Sequence, residues 1–303
     1  MKIAAHILAY NVDKFIEPVL KNLENNVDKV YIAYSEYPWN YNPINKLLYK
    51  NETNLEYLNS LINKFDCDIE IITGNWDYEE EQRNECLNKA REENFDWLII
   101  QDADEFYTQE GWIEIRKVLE NDKFYDHFKT TWFNFWKSSK FVIQYEDGSI
   151  KGSNAGFAVR CSSNLYFIRA RNCSYTEKSK TIDIPCYHYG YVLSDNEMLM
   201  KINLWAHTNE FFTNRQEWYE LKYKNWNLKS KYLNTKNPIS FNKAIVFNEV
   251  QPEFAEQFNY HVDLDKKANL FQDTYYNVKV FCFSNIRNFK RLFIPAKFPI
   301  KMT

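Results

Sequence analysis

Four apolar runs of strand length, Ile3–Tyr10, Lys29–Tyr34, Ile69–Thr73 and Phe95–Gln101, alternate with segments of helical period through the first hundred residues. The runs are apolar on both faces, so strands built from them must be covered on both sides. The cover lies between them. Asp13–Leu23 places apolar residues at 15, 16, 19, 20 and 23, and Leu55–Phe65 places them at 55, 58, 61, 62 and 65. Tyr78–Asn94 is rich in strong helix formers and carries acids at its start, where the helix dipole favours them. This alternation predicts an α/β fold with an open, mostly parallel sheet flanked by helices.

Beyond residue 102 the pattern changes. A helix is expected over Glu110–Glu120, then aromatic-rich alternation from His127 to Gln144, a turn at Gly148, and strand-like pieces at Ala155–Arg160 and Leu165–Arg169. From Asp195 to about Tyr232 the reading is mostly helical, and Phe241–Thr303 reads as either helix or strand. No repeat and no low-complexity linker divides the chain, so a catalytic domain over 1–215 with a helical or mixed C-terminal extension over 216–303 is expected. Pro238 and Pro252 are candidate joints.

Composition removes several function classes. A net charge of −3 does not advertise a polyanion partner for the whole molecule. Six glycines occur and no two are two residues apart, so neither the dinucleotide fingerprint nor the Walker phosphate loop is present. The six cysteines form no C-x-x-C pair, which argues for buried thiols and a reducing, cytoplasmic setting. The first ten residues are too short an apolar run for a signal-peptide core, and no run of eighteen apolar residues appears, so no membrane span is expected. The sequons at Asn51 and Asn172 are then chance.

The most informative segment is Asp102-Ala103-Asp104-Glu105, at the end of the fourth apolar run. In open α/β sheets ligands bind outside the carboxyl ends of the strands. Two carboxylates one residue apart at such an end suit a hard cation, Mn²⁺ or Mg²⁺, that keeps coordination positions open for phosphate oxygens. A solvated acidic turn has the same short sequence, so its context carries the weight.

That context is Tyr10-Asn11-Val12-Asp13 closing the first run, Arg83-Asn84 on the helix before the fourth, and then the D-x-D. Together these resemble family 2 glycosyltransferases of the GT-A fold, well over residues 1 to 110 and more thinly to about 207. The resemblance implies a nucleotide-diphosphate sugar donor, linked to UDP or GDP. It assigns Tyr10, Asn11 and Asp13 to the nucleotide pocket, Arg83 to the nucleoside or diphosphate, Asp102 to ribose or metal, and Asp104 to the metal. Glu36, in Tyr34-Ser35-Glu36, is a displaced candidate for reading the base. Each residue also has a structural reading: Asn11 or Asp13 as a helix cap, Arg83 as an ion-pair partner of Glu79 or Glu80.

A second block, Tyr175-Thr176-Glu177, then Cys186-Tyr187-His188-Tyr189-Gly190-Tyr191, and Lys201, resembles the later motifs of lipopolysaccharide-type members of that family, with threonine where they carry a histidine. It implies inverting transfer to a glycan or other hydroxyl acceptor. Glu177 would be the base that takes the acceptor proton, His188 a third metal or phosphate contact with His207 in reserve, and Lys201 a phosphate contact. Asp183 and Asp195 are the rival bases.

Aromatic residues cluster at Trp132, Phe133, Phe135 and Trp136, and again at Trp205, Trp218, Tyr219 and Trp226. The first cluster suits an acceptor groove, although core packing explains most such rings. The stretch from Lys279 to Thr303 carries Lys or Arg at 279, 287, 290, 291, 297 and 301 and no acid, which suits an anionic membrane surface, a nucleic acid or a solvated tail. Two other readings of the whole chain stay open: a metal-dependent nuclease or phosphohydrolase, which asks for further acids around a second metal, and a non-catalytic carbohydrate-binding protein.

Overall fold

The first strand, β1 (Ile3–Ala9), is buried at all seven positions because its alternate residues serve two different cores. Ile3, Ala5, Ile7 and Ala9 face one, Ala4 and Leu8 the other. The computed structural model describes residues 1–152, 154–204, 214–264 and 270–293, without the side chains of 270 and 284–293. Parallel to β1 run β2 (Lys29–Tyr34) and β4 (Trp97–Ile100), and β3 (Asp68–Thr73) lies parallel outside β2.

Helices cover both faces, as the sequence pattern requires. On one face α1 (Asp13–Leu23), α3 (Leu55–Leu61) and α5 (Gln109–Asn121) pack Ile16, Leu20, Leu58, Leu61, Trp112 and Ile115 onto the sheet. On the other, α4 (Glu79–Glu92) packs Cys86, Leu87 and Ala90 against Tyr31, Ala33 and Leu98. Each fully buried Leu or Ile contributes about 1.5–3 kcal/mol relative to leaving it in water. A short helix, α2 (Pro43–Leu48), lies in the loop after β2.

The second half extends the same sheet with mixed directions. β6 (His127–Trp136) pairs antiparallel with β7 (Ser138–Tyr145) and β8 (Asn154–Arg160), and β8 joins β6 to β4. Lys137, at a positive φ of 64°, turns the chain from β6 into β7. A small hairpin, β9 (Phe167–Arg169) and β10 (Asn172–Cys173), leads to β11 (Ser179–Tyr191), which runs parallel to β6 and antiparallel to the two-residue β5 (Glu105–Phe106). β11 is the longest strand and is absent from the sequence reading, because Pro185 and two register shifts break its alternation.

The C-terminal part adds to this sheet. β12 (Phe241–Val246) pairs with β7 as the edge strand. A third core joins Trp136, Phe141 and Tyr191 to Trp218, Tyr223 and Trp226, the last three carried on or just after α7 (Arg215–Trp218) and the π-helix Tyr219–Lys224. Tyr276 and Val280 of α8 (Leu270–Phe293) pack into the same core. No helix among the described residues is long and apolar enough to cross a membrane. All six cysteines are free thiols.

Candidate functional site

In the sheet the parallel strands lie in the order β3, β2, β1, β4, so the connection reverses direction between β1 and β4. Such a switch point opens a crevice at the carboxyl ends of the two strands. The turn after β1 carries Tyr10 and Asn11, and the turn after β4 carries Asp102 and Asp104. All four line one pocket of about 430 Å³ together with Asp13, Arg83 and Lys201. The structure therefore brings seven of the sequence candidates to a single place.

Asn11 sits at φ 54°, a left-handed conformation that asparagine tolerates better than most residues. Asn51 fixes it there. The Asn51 amide donates to the carbonyls of Ala9 and Ser35 at 2.7 and 2.8 Å, tying the ends of β1 and β2. Its oxygen accepts from the N–H groups of Asn11 and Thr53 at 2.9 and 3.0 Å. The sequence reading passed over Asn51 except as a sequon. Asn11 itself accepts from Glu52 N–H at 2.7 Å and does not cap α1, whose N-terminus lacks a side-chain cap.

Asp102 is held from two sides. Arg83 Nη2 donates to Oδ1 at 2.8 Å and Arg171 Nη2 donates to Oδ2 at 2.6 Å. Burial alone would raise this carboxyl; the Arg171 and Arg83 guanidiniums override it and keep the group ionised well below the usual carboxylate range. With both oxygens engaged, Asp102 is an anchor for two cations rather than an open metal ligand. Arg83 also pairs with Glu79 at 2.6 Å, so the ion-pair reading of that residue and its place at the pocket both hold.

Arg171 went unread because nothing in the sequence marks it. It is delivered by the tight turn between β9 and β10, where Ala170 takes φ 47°. It pairs in addition with Glu105 at 2.9 Å and lies 5.0 Å from the Trp132 ring centre. Glu105 is fully buried, and burial, with Asp102 and Asp104 nearby, pushes it up to about 8 against the pull of Arg171.

Asp104 faces a different pair. Lys201, on α6 (Asp195–Leu204), lies 3.3 Å from its Oδ2, and His188 Nε2 lies 3.7 Å from its Oδ1. His188 is stacked on Trp132 with ring centres 4.4 Å apart. Its Nδ1–H donates to Asn134 Oδ1 at 2.6 Å, and Asn134 in turn donates to the Tyr145 hydroxyl at 2.6 Å. Burial lowers the imidazole to about 4, against Asp104 and with Lys201, so the ring is neutral at pH 7. The unprotonated Nε2 then points toward Asp104. A neutral histidine whose far nitrogen is held by a polar partner is the arrangement that metal-ligating histidines use.

Other sequence candidates fall elsewhere. Glu177 is exposed and precedes the start of β11, where Ser179 pairs with His127, whereas His188 pairs with Asn134 near the other end of that strand. At about 3.3 Å per strand residue the two ends are far apart, so Glu177 is not a base for this pocket. Glu36 points to solvent and pairs with Lys50 at 2.6 Å while its neighbours Ser35 and Tyr37 line the pocket. The rival bases Asp183 and Asp195 pair with Lys151 and Lys137 away from it. Phe133, Phe135 and Trp136 are core residues, which corrects the acceptor-groove reading for them; only Trp132 of that cluster reaches the site, through His188. Trp205 and His207 lie outside the described residues.

No family model matches this chain, and no curated protein matches it. Distant likenesses exist among solved structures. The chain is 12% identical to TarS of S. aureus over 73% of its own length and 48% of that chain, with a TM-score of 0.40, so it spans about half of TarS. HddC of Yersinia pseudotuberculosis matches at 11% identity over 66% of this chain and 97% of its own, also at 0.40. The 4-diphosphocytidyl-2C-methyl-D-erythritol synthase of Anaerococcus prevotii matches at 11% identity, 66% and 93% coverage, and 0.37. Likenesses this distant leave function to be argued from the pocket itself.

Proposed function

We propose that this chain transfers a sugar from a nucleoside-diphosphate donor to a hydroxyl acceptor. The observation that carries the reading is the convergence, at one switch-point pocket, of the Tyr10-Asn11 turn, the doubly anchored Asp102, and Asp104, which His188 approaches to 3.7 Å from behind the lining residues. These are the positions at which the resemblance to GT-A glycosyltransferases of family 2 places donor binding.

Asp104 and His188 fit Mn²⁺ or Mg²⁺. One offers a carboxylate, the other a neutral imidazole nitrogen, 3.7 Å apart. Among the described residues no three His, Cys, Asp or Glu side chains gather to hold a metal by themselves, so the remaining coordination would come from diphosphate and water. Bound there, the cation would supply charge neutralisation for the departing diphosphate. Lys201 brings a second positive charge to the same carboxylate and so to the same phosphates. Tyr10 and Asn11 shape the nucleoside side, and the Asn51 clasp keeps their turn preorganised before the donor arrives.

The carboxylates lining the pocket besides Asp102 and Asp104 are Asp13, Glu52, Glu79 and Glu197. Glu79 and Glu197 already pair with Arg83 and Lys14, which makes Asp13 and Glu52 the ones to replace in a search for the acceptor's base. A two-metal hydrolase asks for more open acids beside Asp104, whose ion-pair partners are a histidine and a lysine.

The test is calorimetry with UDP- and GDP-linked sugars, with and without Mn²⁺, alongside nucleotide release. Metal-dependent binding that Asp104→Asn abolishes, with the fold intact by circular dichroism, is the expected result. Absence of binding to every common nucleotide sugar overturns the proposal.

A further inference from the structure

Over residues 271–281 of α8 (Leu270–Phe293), one face packs into the third core and the opposite face exposes apolar side chains. Tyr276 and Val280 are fully buried, and Asp273 is turned inward onto Lys222 at 2.5 Å. Phe271, Tyr275, Val278 and Phe281 are 81%, 63%, 56% and 55% exposed. At 100° per residue, 271, 275 and 278 fall within a narrow stripe with 281 on its flank, opposite the packed residues. Further along the sequence Ile286, Phe289 and Phe293 stand three and four residues apart from one another.

The charge around this stripe selects the occupant. The last 25 residues of a chain whose net charge is −3 hold six Lys or Arg and no Asp or Glu. Lys279 pairs with Glu217, and the other five have no acidic residue near them in sequence. An aromatic stripe followed in the sequence by a basic, acid-free stretch, on a helix too polar to span a bilayer, has the composition of a segment lying in the headgroup region. A second copy of this chain would bring two basic segments together, which like-charge repulsion opposes.

From these observations we propose that α8 docks on anionic lipid, its Phe271-Tyr275-Val278-Phe281 face entering the headgroup boundary and the basic residues of the C-terminal sequence supplying attraction to lipid charge. The catalytic pocket would then work beside a membrane surface.

Flotation of the full chain with vesicles of phosphatidylcholine alone, or of phosphatidylcholine and phosphatidylglycerol in equal parts, tests this directly. Binding is expected to the anionic vesicles, weakly or not at all to the zwitterionic ones, and to fall as salt is raised. Because Phe271, Tyr275 and Val278 are exposed, the triple change Phe271→Ser, Tyr275→Ser, Val278→Ser should leave the circular dichroism unchanged and reduce anionic-vesicle binding by about tenfold or more. A second variant, Lys290→Glu with Arg291→Glu, keeps the apolar stripe and should reduce binding with a shallower salt dependence. No flotation with anionic vesicles at low salt overturns the proposal. So does a triple variant that floats as well as the parent, or a dimer in solution that the triple variant abolishes.

Discussion

Asp104, which lines the pocket, and His188 approach to 3.7 Å, and Gly190 is what allows it. A Cβ at position 190 would lie 2.5 Å from both Cε1 and Nε2 of His188 and 3.0 Å from Asp104 Oδ2. The imidazole has nowhere to retreat, since Trp132 covers one face and Asn134 holds Nδ1. Gly190→Ala is therefore expected to pull the pair apart while the sheet still folds. Metal-dependent donor affinity or turnover should fall by about 10- to 100-fold, the usual cost of disturbing groups that orient a ligand. Asn134→Leu should show a similar loss by freeing Nδ1. Calorimetric titration of Mn²⁺ with donor, beside a thermal melt, checks both.

Arg171 balances Asp102 and Glu105 at once, at 2.6 and 2.9 Å. Removing one partner of a buried ion pair leaves uncompensated charge, at a cost of about 3–5 kcal/mol. Arg171→Met should lower unfolding stability by about 3 kcal/mol, the low end of that range because Asp102 keeps Arg83 and partial solvent access. Adding Glu105→Gln removes the carboxylate that burial already penalises, so the double variant should recover part of the loss. Urea titration of the four proteins in the cycle measures the coupling.

The parallel half of the sheet was legible because its signals are local. Periodicity over Asp13–Leu23 predicts α1 to the residue, and the apolar runs find β1 to β4 within two residues. Tyr10, Asn11, Arg83 and the D-x-D are likewise positioned by neighbours in sequence, at strand ends or on the helix between strands. What escaped is held by distant contacts. Arg171 reaches Asp102 across 69 residues, Asn134 reaches His188 across 54, and Asn51 ties two strand ends that precede it. Glu177 escapes for a related reason: it precedes β11, and the extended residues of that strand from Ser179 on separate it from His188.

Asn51 offers four hydrogen bonds to the backbone that frames the Tyr10-Asn11 side of the pocket. In Asn51→Asp the two acceptor bonds survive and the two donor bonds to Ala9 and Ser35 are lost, with a carboxylate oxygen facing two carbonyls. An unmet polar group in such a place costs about 1–3 kcal/mol. Asn51→Asp is expected to destabilise the protein by that order and to raise the donor KM more than it lowers kcat, because the Asn11 turn loosens before binding. Steady-state kinetics with a saturating acceptor distinguishes this from a change in chemistry.

His127 links the opposite end of the sheet to pH. It is 5% exposed at the start of β6; its Nδ1 meets the Ser179 hydroxyl at 3.1 Å, and a Cβ on Gly156 would lie 3.0 Å from its Nε2. Burial, with Lys129 adding, lowers the imidazole from 6.5 to about 4. Between those values the unfolded chain binds the proton and the folded chain does not, so protons favour unfolding. Stability from this group is complete above pH 6.5, falls as the pH drops toward 4, and changes no further below that. A shift of this size corresponds to about 3 kcal/mol over the window. His127→Gln keeps a polar side chain that does not titrate, so its stability should decline less than the parent's between pH 6.5 and 4, and the two curves should run parallel above pH 7. Urea unfolding at half-unit pH intervals gives both curves. Equal slopes through the window would remove His127 as the titrating group.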